Sequence, residues 1–169
     1  AAGDNAAALR LANELYGTVN NSQPNSETSV NDIADLQLRA LSARGLAALA
    51  LGRTKDAVAD LERVRTMTPN APSALINLAK AYRRVNRLDE AAALYRTAMQ
   101  RDERDFDAVS GYVSLCIEAK KTADAYATLD AMSTRNSGRA DVLAALHFLR
   151  SQVLSSEGKR AETEAELLA

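Results

Sequence analysis

The sequence predicts an all-α solenoid of stacked antiparallel helix pairs, and two observations carry that prediction. The first is a fixed step of 34 residues. Leu41, Leu75, Val109 and Leu143 stand in one column, and Ala57, Ala91 and Ala125 in a second. Leu61, Tyr95 and Leu129 form a third, Val64, Ala98 and Met132 a fourth. Self-similarity at this period belongs to architectures in which a two-helix unit buries its apolar face only against its neighbours. The second is composition. Alanine supplies 34 of the 169 residues, against three prolines and seven glycines, a balance that favours helix throughout.

Other bulk properties narrow the function. A formal net charge of −1 exerts no overall pull on polyanions, so a nucleic-acid partner is not expected. Cys116 is the sole cysteine, which excludes an intrachain disulfide and a cysteine-cluster metal site. Its column places it in a helix interior as a small buried hydrophobe. No run of 18 apolar residues occurs, so no transmembrane span is expected. The chain opens Ala1-Ala2-Gly3 without methionine, so a targeting segment absent from this sequence is compatible with it, and cytoplasm and periplasm both stay open.

The elements follow in order. Gly3-Asp4, then Ala8, Ala12 and Leu15, match the spacing of a turn and second helix, giving a partial unit over 3–20. Residues 17–30, polar and rich in Asn and Ser, read as an insertion loop, either flexible or a binding element. Ser29 and Asp32 have the spacing of a capping box, from which a helix would run to about Leu51, nearly two turns longer than its counterparts. Full repeats are expected at 38–71, 72–105 and 106–139.

Residues 72–105 are the clearest. Pro72 suits a first helical turn, and Leu75, Leu78, Ala79 and Tyr82 share one face. Asn86 can take the left-handed conformation that ends the helix. Asp89 and Glu90 then suit the positive end of a second helix, whose stripe is Ala91, Leu94, Tyr95 and Ala98. A partial unit covers 140–169, where Gly158 falls four residues beyond the column of Gly52. Either that helix gains about one turn or its loop carries an insertion. Both chain ends look cut rather than finished, as expected of a piece of a longer array.

Taken together, these columns resemble the tetratricopeptide-repeat family. The residues that carry the resemblance are Gly45 and Ala79, Tyr82, Ala57/Ala91/Ala125, Leu61/Tyr95/Leu129, and Pro69 closing its unit. Several positions depart from the pattern. Arg44 sits in a column otherwise filled by Leu78, Tyr112 and Leu146, and Glu103 and Ser137 replace the closing proline. Lys120 stands where Gly52 and Asn86 end their helices, which suggests another turn geometry, and His147 stands in a small-residue column.

The resemblance implies a right-handed superhelix with a concave wall of first helices, and a protein or peptide partner bound in that groove. The inward columns then supply the candidate partner-binding residues: Arg39, Asn77, Lys80, Arg83, Arg84, Ser114 and Glu118. Asn77, Lys80 and Arg84 share one helical face and, with Arg83 and Arg87, form the local positive cluster, suited to an acidic or C-terminal peptide. A solvated charged face is the alternative. The family's chaperone-tail carboxylate clamp is not expected, because Ser42, Leu46, Asp107 and Gly111 fill positions that require Asn or cations.

Leu46 and Leu49 face the same side, either covered by the helix around Ala8–Tyr16 or open as an apolar pocket. Phe148 poses the same question at the other end. No catalytic residues, metal ligands or cofactor motif are identified: His147 and Cys116 occupy different columns, with no third group to orient them. The alternative function is a structural spacer in a bacterial secretion or exopolysaccharide-export assembly, such as the periplasmic repeat region of a cellulose-synthase C subunit. An excess of arginine over lysine (sixteen to five) fits a bacterial source.

Overall fold

The computed structural model describes residues 2–25, 28–102 and 105–168. Among them the order is α1 (Ala2–Asn20), α2 (Val30–Ala50), α3 (Thr54–Met67), α4 (Pro72–Arg84), α5 (Leu88–Arg101), α6 (Phe106–Glu118), α7 (Thr122–Arg135), α8 (Ala140–Ser156) and α9 (Arg160–Leu167). No strand occurs among the described residues. The chain is an all-α solenoid of helix pairs, and it divides into two compact units, Ala1–Asp102 and Glu103–Ala169. Each unit is described by itself.

One backbone device makes all four intra-pair turns. Gly52, Asn86, Lys120 and Gly158 adopt φ of 74°, 61°, 56° and 74°. The next residue's N–H then reaches back to a carbonyl of the preceding helix: Arg53 to Ala48, Arg87 to Tyr82, Lys121 to Cys116 and Lys159 to Leu154, at 2.8–3.0 Å. This is the Schellman closure of a helix C-terminus. Lys120 therefore makes the same turn as its glycine and asparagine equivalents, contrary to the sequence expectation. The backbone bonds hold it there at the cost of about 1 kcal/mol that a Cβ incurs in the left-handed region.

Unit 1 begins with a correction. Gly3 and Asp4 form no turn; they lie inside α1, which starts at Ala2. Its other end continues through Asn20, so residues 17–20 of the expected loop are helical. Val19, 4% exposed, anchors that last turn in the core, and Thr18, Asn21 and Ser22 side chains donate to the carbonyls of Glu14, Gly17 and Thr18. Ser26 and Glu27 of the expected loop lie outside the described residues.

The capping box forms as its spacing predicts. Ser29 Oγ accepts from the Asp32 N–H at 3.2 Å, and Asp32 accepts from the Ser29 N–H at 2.9 Å. Ser29 Oγ also donates to the Asp32 carboxylate at 2.7 Å, and this bond, with that from the Ser29 N–H, holds the carboxyl below its usual range. At 21 residues α2 is a little over two turns longer than the 13-residue α4.

The columns supply the core. Leu41, Val64 and Ala74 form one cluster, flanked by Tyr16 and Leu38, and Leu9, Ala47, Ala48 and Ala57 form another. Between α2 and α3 the approach is close: a Cβ on Gly45 would lie 2.9 Å from Leu61 Cγ. Beside it Arg44 and Asp60 replace the apolar pair of the following repeat, since their columns next hold Leu78 and Leu94. Arg44 donates to both Asp60 oxygens, at 2.7 and 2.5 Å, and its guanidinium lies 4.2 Å from the Tyr16 ring centroid. Asp60, only 6% exposed, is one of the few charged residues in the core.

Unit 2 repeats the pattern with Val109, Tyr112, Val113 and Cys116 on α6 and Ala125, Leu129 and Met132 on α7, all buried. The late glycine is explained by α8, which has 17 residues against 13 in α6: the helix gains a turn and its loop no insertion. Glu103, one of the two positions without the closing proline, lies outside the described residues.

The buried ion pair yields a direct test. Arg44→Ala strands the Asp60 carboxylate and is expected to lower stability by about 3 kcal/mol in urea unfolding followed by circular dichroism. The double change Arg44→Leu with Asp60→Leu rebuilds the leucine pair and should recover most of that loss. A double variant as unstable as the single one would contradict the paired-column account.

Candidate functional site

The packing of α4 decides what it can show to a partner. Ala74, Leu75, Ile76, Leu78, Ala79, Ala81 and Tyr82 are all buried. Beyond Pro72, Ser73 and Arg84 are exposed and Asn77 and Lys80 half-buried on one stripe at i, i+4, i+7 and i+11, with Arg83 half-buried beside it. The helix contains no carboxylate, so the stripe is cationic. Its last turn also places Arg83 and Arg84 at the negative end of the helix dipole, which favours them there.

In the same unit, α2 exposes a parallel line of different character. Leu36 (38% exposed), Ala43, Leu46 (40%) and Ala50 share a helical face adjacent to the buried arc. Arg39 lies on that face, exposed and paired with Asp35 at 2.8 Å. Leu41 of α2 and Ala74 of α4 belong to one cluster with Val64 of α3. Leu49 turns into the cluster around Leu9 of α1, whereas Leu46 stays open. The two leucines therefore divide between the alternatives the sequence left.

Of the candidates, Arg39 lies on α2 and Asn77, Lys80, Arg83 and Arg84 on α4, all in unit 1. Arg87 does not belong with them. Its guanidinium bonds Glu90, reaches Glu62 at 3.4 Å and stacks 3.8 Å from the Tyr82 ring centroid, while Tyr82 donates to Glu62 at 2.7 Å. Burial, then the bond to Glu62, pushes the Tyr82 hydroxyl above its ordinary range. The remaining candidates, Ser114 and Glu118, lie on α6 in unit 2, on a stripe with Asp107 and Gly111. That stripe contains two carboxylates and no cation.

Sequence reasoning missed the joint between α7, α8 and α9. A cleft of about 430 Å³ there is lined by Tyr126, His147, Arg150, Leu154, Glu162 and Glu166, among others. His147 Nδ1 lies 2.5 Å from Glu166, Arg150 pairs with Asp130 and Glu166, and Lys159 pairs with Glu157 at 3.0 Å. Tyr126 donates to Glu157 at 3.0 Å. No residue of α9 is buried, and Glu166 ties it to α8 through His147 and Arg150. A signal existed in the columns: allowing for the extra turn of α8, Thr163 and Leu167 stand where other second helices place alanine and a bulky buried residue. Cys116 is buried at 1% exposure, as its column predicts.

Comparisons with known proteins bear on this architecture. Two models described as tetratricopeptide repeat match residues 42–107 and 84–147. The chain belongs to the tetratricopeptide-repeat family. Among solved structures it resembles nearly identical TPR-like repeats from a kinesin-light-chain sequence of Podosopora anserina, with a TM-score of 0.78 at 17% identity, covering 98% of this chain and 84% of that one. It also resembles a thermophilic TPR protein of Thermus thermophilus, with a TM-score of 0.63 at 16% identity, covering 98% and 88%. These likenesses concern the fold.

In sequence the chain is 27% identical over 143 residues to cellulose synthase operon protein C of Pseudomonas fluorescens (strain SBW25). That alignment spans 85% of this chain and 11% of the relative's length. Tetratricopeptide repeats are protein-interaction scaffolds, and no helix among the described residues is long and apolar enough to cross a membrane.

Burial, then the bond to Glu157, raises the Tyr126 hydroxyl from 10.0 to about 12. The folded state thus keeps a proton that the unfolded chain has lost between those values, so stability falls as pH rises through that window. Tyr126→Phe is expected to flatten that alkaline limb and to remove one tyrosinate absorbance step near pH 12. An unchanged titration would contradict the Tyr126–Glu157 contact.

Proposed function

We propose that this tetratricopeptide-repeat chain captures a protein or peptide partner along the exposed stripes of its first helices. Support comes chiefly from α4, which is buried everywhere except the line through Ser73, Asn77, Lys80 and Arg84. A helix sequestered on its other faces presents side chains from a rigid support, the arrangement a binding constellation needs. Asn77 offers both a donor and an acceptor to a peptide backbone, and the cations offer charge-assisted bonds. Arg39 and Arg83 complete the proposed contacts of unit 1, and Ser114 and Glu118 are the proposed contacts of unit 2, each unit taken by itself.

A second reading has its own support. The relative from Pseudomonas fluorescens belongs by name to a cellulose synthase operon, and this chain aligns with a small part of it. In this reading the chain is a structural segment of a bacterial exopolysaccharide-export assembly. The two readings are compatible where a scaffold segment also holds a partner.

Charge reversal tests the first. Lys80→Glu with Arg84→Glu should abolish partner capture from an extract of the source cells while leaving the helical circular-dichroism signal unchanged, because both side chains lie off the buried arc. Capture that survives the double change would contradict the α4 stripe as the contact face.

A further inference from the structure

We propose that α1 is a self-association surface, on which a second copy of this chain lays its own α1 antiparallel. The helix has two apolar stripes on neighbouring faces. Leu9, Ala12, Tyr16 and Val19, at i, i+3, i+7 and i+10, turn toward the rest of unit 1. Leu9 enters the cluster with Ala47, Ala48 and Ala57, and Tyr16 flanks the one around Leu41. Ala8, Leu11 and Leu15 precede those residues by one position in each turn, which sets them about 100° around the helix. They are exposed, Leu11 at 59% and Leu15 at 41%. One half of a wide apolar arc is therefore covered and the other half is open.

The open stripe has the form of a helix–helix seam. Positions 8, 11, 15 and 18 alternate steps of three and four, the spacing by which paired helices interlock. Ala8 and Thr18 end it with small side chains, and the Thr18 hydroxyl is turned back onto the Glu14 carbonyl at 2.9 Å. A two-fold axis midway between Leu11 and Leu15 sets Leu11 of each copy against Leu15 of the other. The same axis sets Ala8 against Thr18, so the stripe complements itself.

Charges beside the stripe fit that symmetry. Arg10 and Glu14 flank it on the side away from the buried stripe, and both are exposed. Arg39, Arg53 and Arg87 each pair with a carboxylate three or four residues away. Arg10 and Glu14, one turn apart, form no ion pair among the described residues. An antiparallel copy brings Arg10 of each chain alongside Glu14 of the other, so both charges gain a partner. A parallel copy would place them on opposite sides of the seam with nothing to meet. Only three of the 19 residues of α1 are charged, so a strongly charged peptide or a nucleic acid finds little to hold there.

Sedimentation equilibrium of the whole chain, from about 10 µM to about 1 mM, tests the proposal in the range suited to one helix per copy. The mass should rise toward that of a dimer and no further. Leu11→Glu with Leu15→Glu should weaken association about tenfold or more. Arg10→Glu alone, and Glu14→Arg alone, should each weaken it about threefold. Combining Arg10→Glu with Glu14→Arg should restore it. All four side chains are exposed, so the helical circular-dichroism signal should stay unchanged in every variant.

A chain that stays monomeric throughout would overturn the proposal and leave the stripe to a neighbouring helix of a longer chain. Association indifferent to the α1 substitutions would put the contact elsewhere and overturn it as well. Mass that grows beyond a dimer, or a charge swap no better than its single changes, would overturn the antiparallel two-fold.

Discussion

The helix pairs of unit 1 have apolar stripes on both helices that a pair alone cannot fully cover, and the rest of that unit follows from that shortage. The 34-residue step is the sequence record of the remedy: equivalent side chains recur so that each pair closes the face left open by its neighbour. In unit 1, Leu41, Val64 and Ala74 come from three successive helices and meet in one cluster. The same requirement fixes the turns. Gly52, Asn86, Lys120 and Gly158 must all reverse the chain tightly, so one hydrogen-bond closure recurs over three residue types.

Where the repeat is broken, it is broken in pairs. Arg44 alone would strand a guanidinium in a leucine column, but Asp60 replaces leucine in the facing column and takes both of its bonds. Tyr16 supplies a ring beneath the guanidinium, so α1, α2 and α3 are joined by one polar contact amid apolar packing. Gly45 allows the close approach this needs, because a Cβ there would press on Leu61. A buried ion pair of this kind adds little net stability over a hydrophobic pair, yet losing one member is costly. We take it as a device that fixes how α2 meets α3.

How legible this was depends on the interaction. Column residues such as Ala91, Tyr95 and Ala98 were readable because burial at a fixed period leaves a repeating residue type. The capping box at Ser29 and the left-handed Asn86 were readable because each is a local backbone requirement. Lys120 misled because the closure is imposed by backbone bonds and the residue type only modulates its cost. Gly17 to Asn20 misled because polarity signalled a loop while Val19 had a core position that kept the helix going. In the candidate site, the α4 stripe was visible from spacing. The withdrawal of Arg87 was not, since Glu62 and Tyr82 lie 25 and five positions before it in sequence and reach it only through folding.

Function rests on the consequence of that packing: a first helix buried on most sides can offer a partner only its remaining stripe. The most direct measurement is an amide and side-chain chemical-shift map of the chain titrated with a short acidic peptide. The account predicts perturbations centred on Asn77, Lys80 and Arg84 of α4 and on Ala43, Leu46 and Ala50 of α2. Perturbations centred on the second helices α3 and α5, with the first-helix stripes silent, would contradict it.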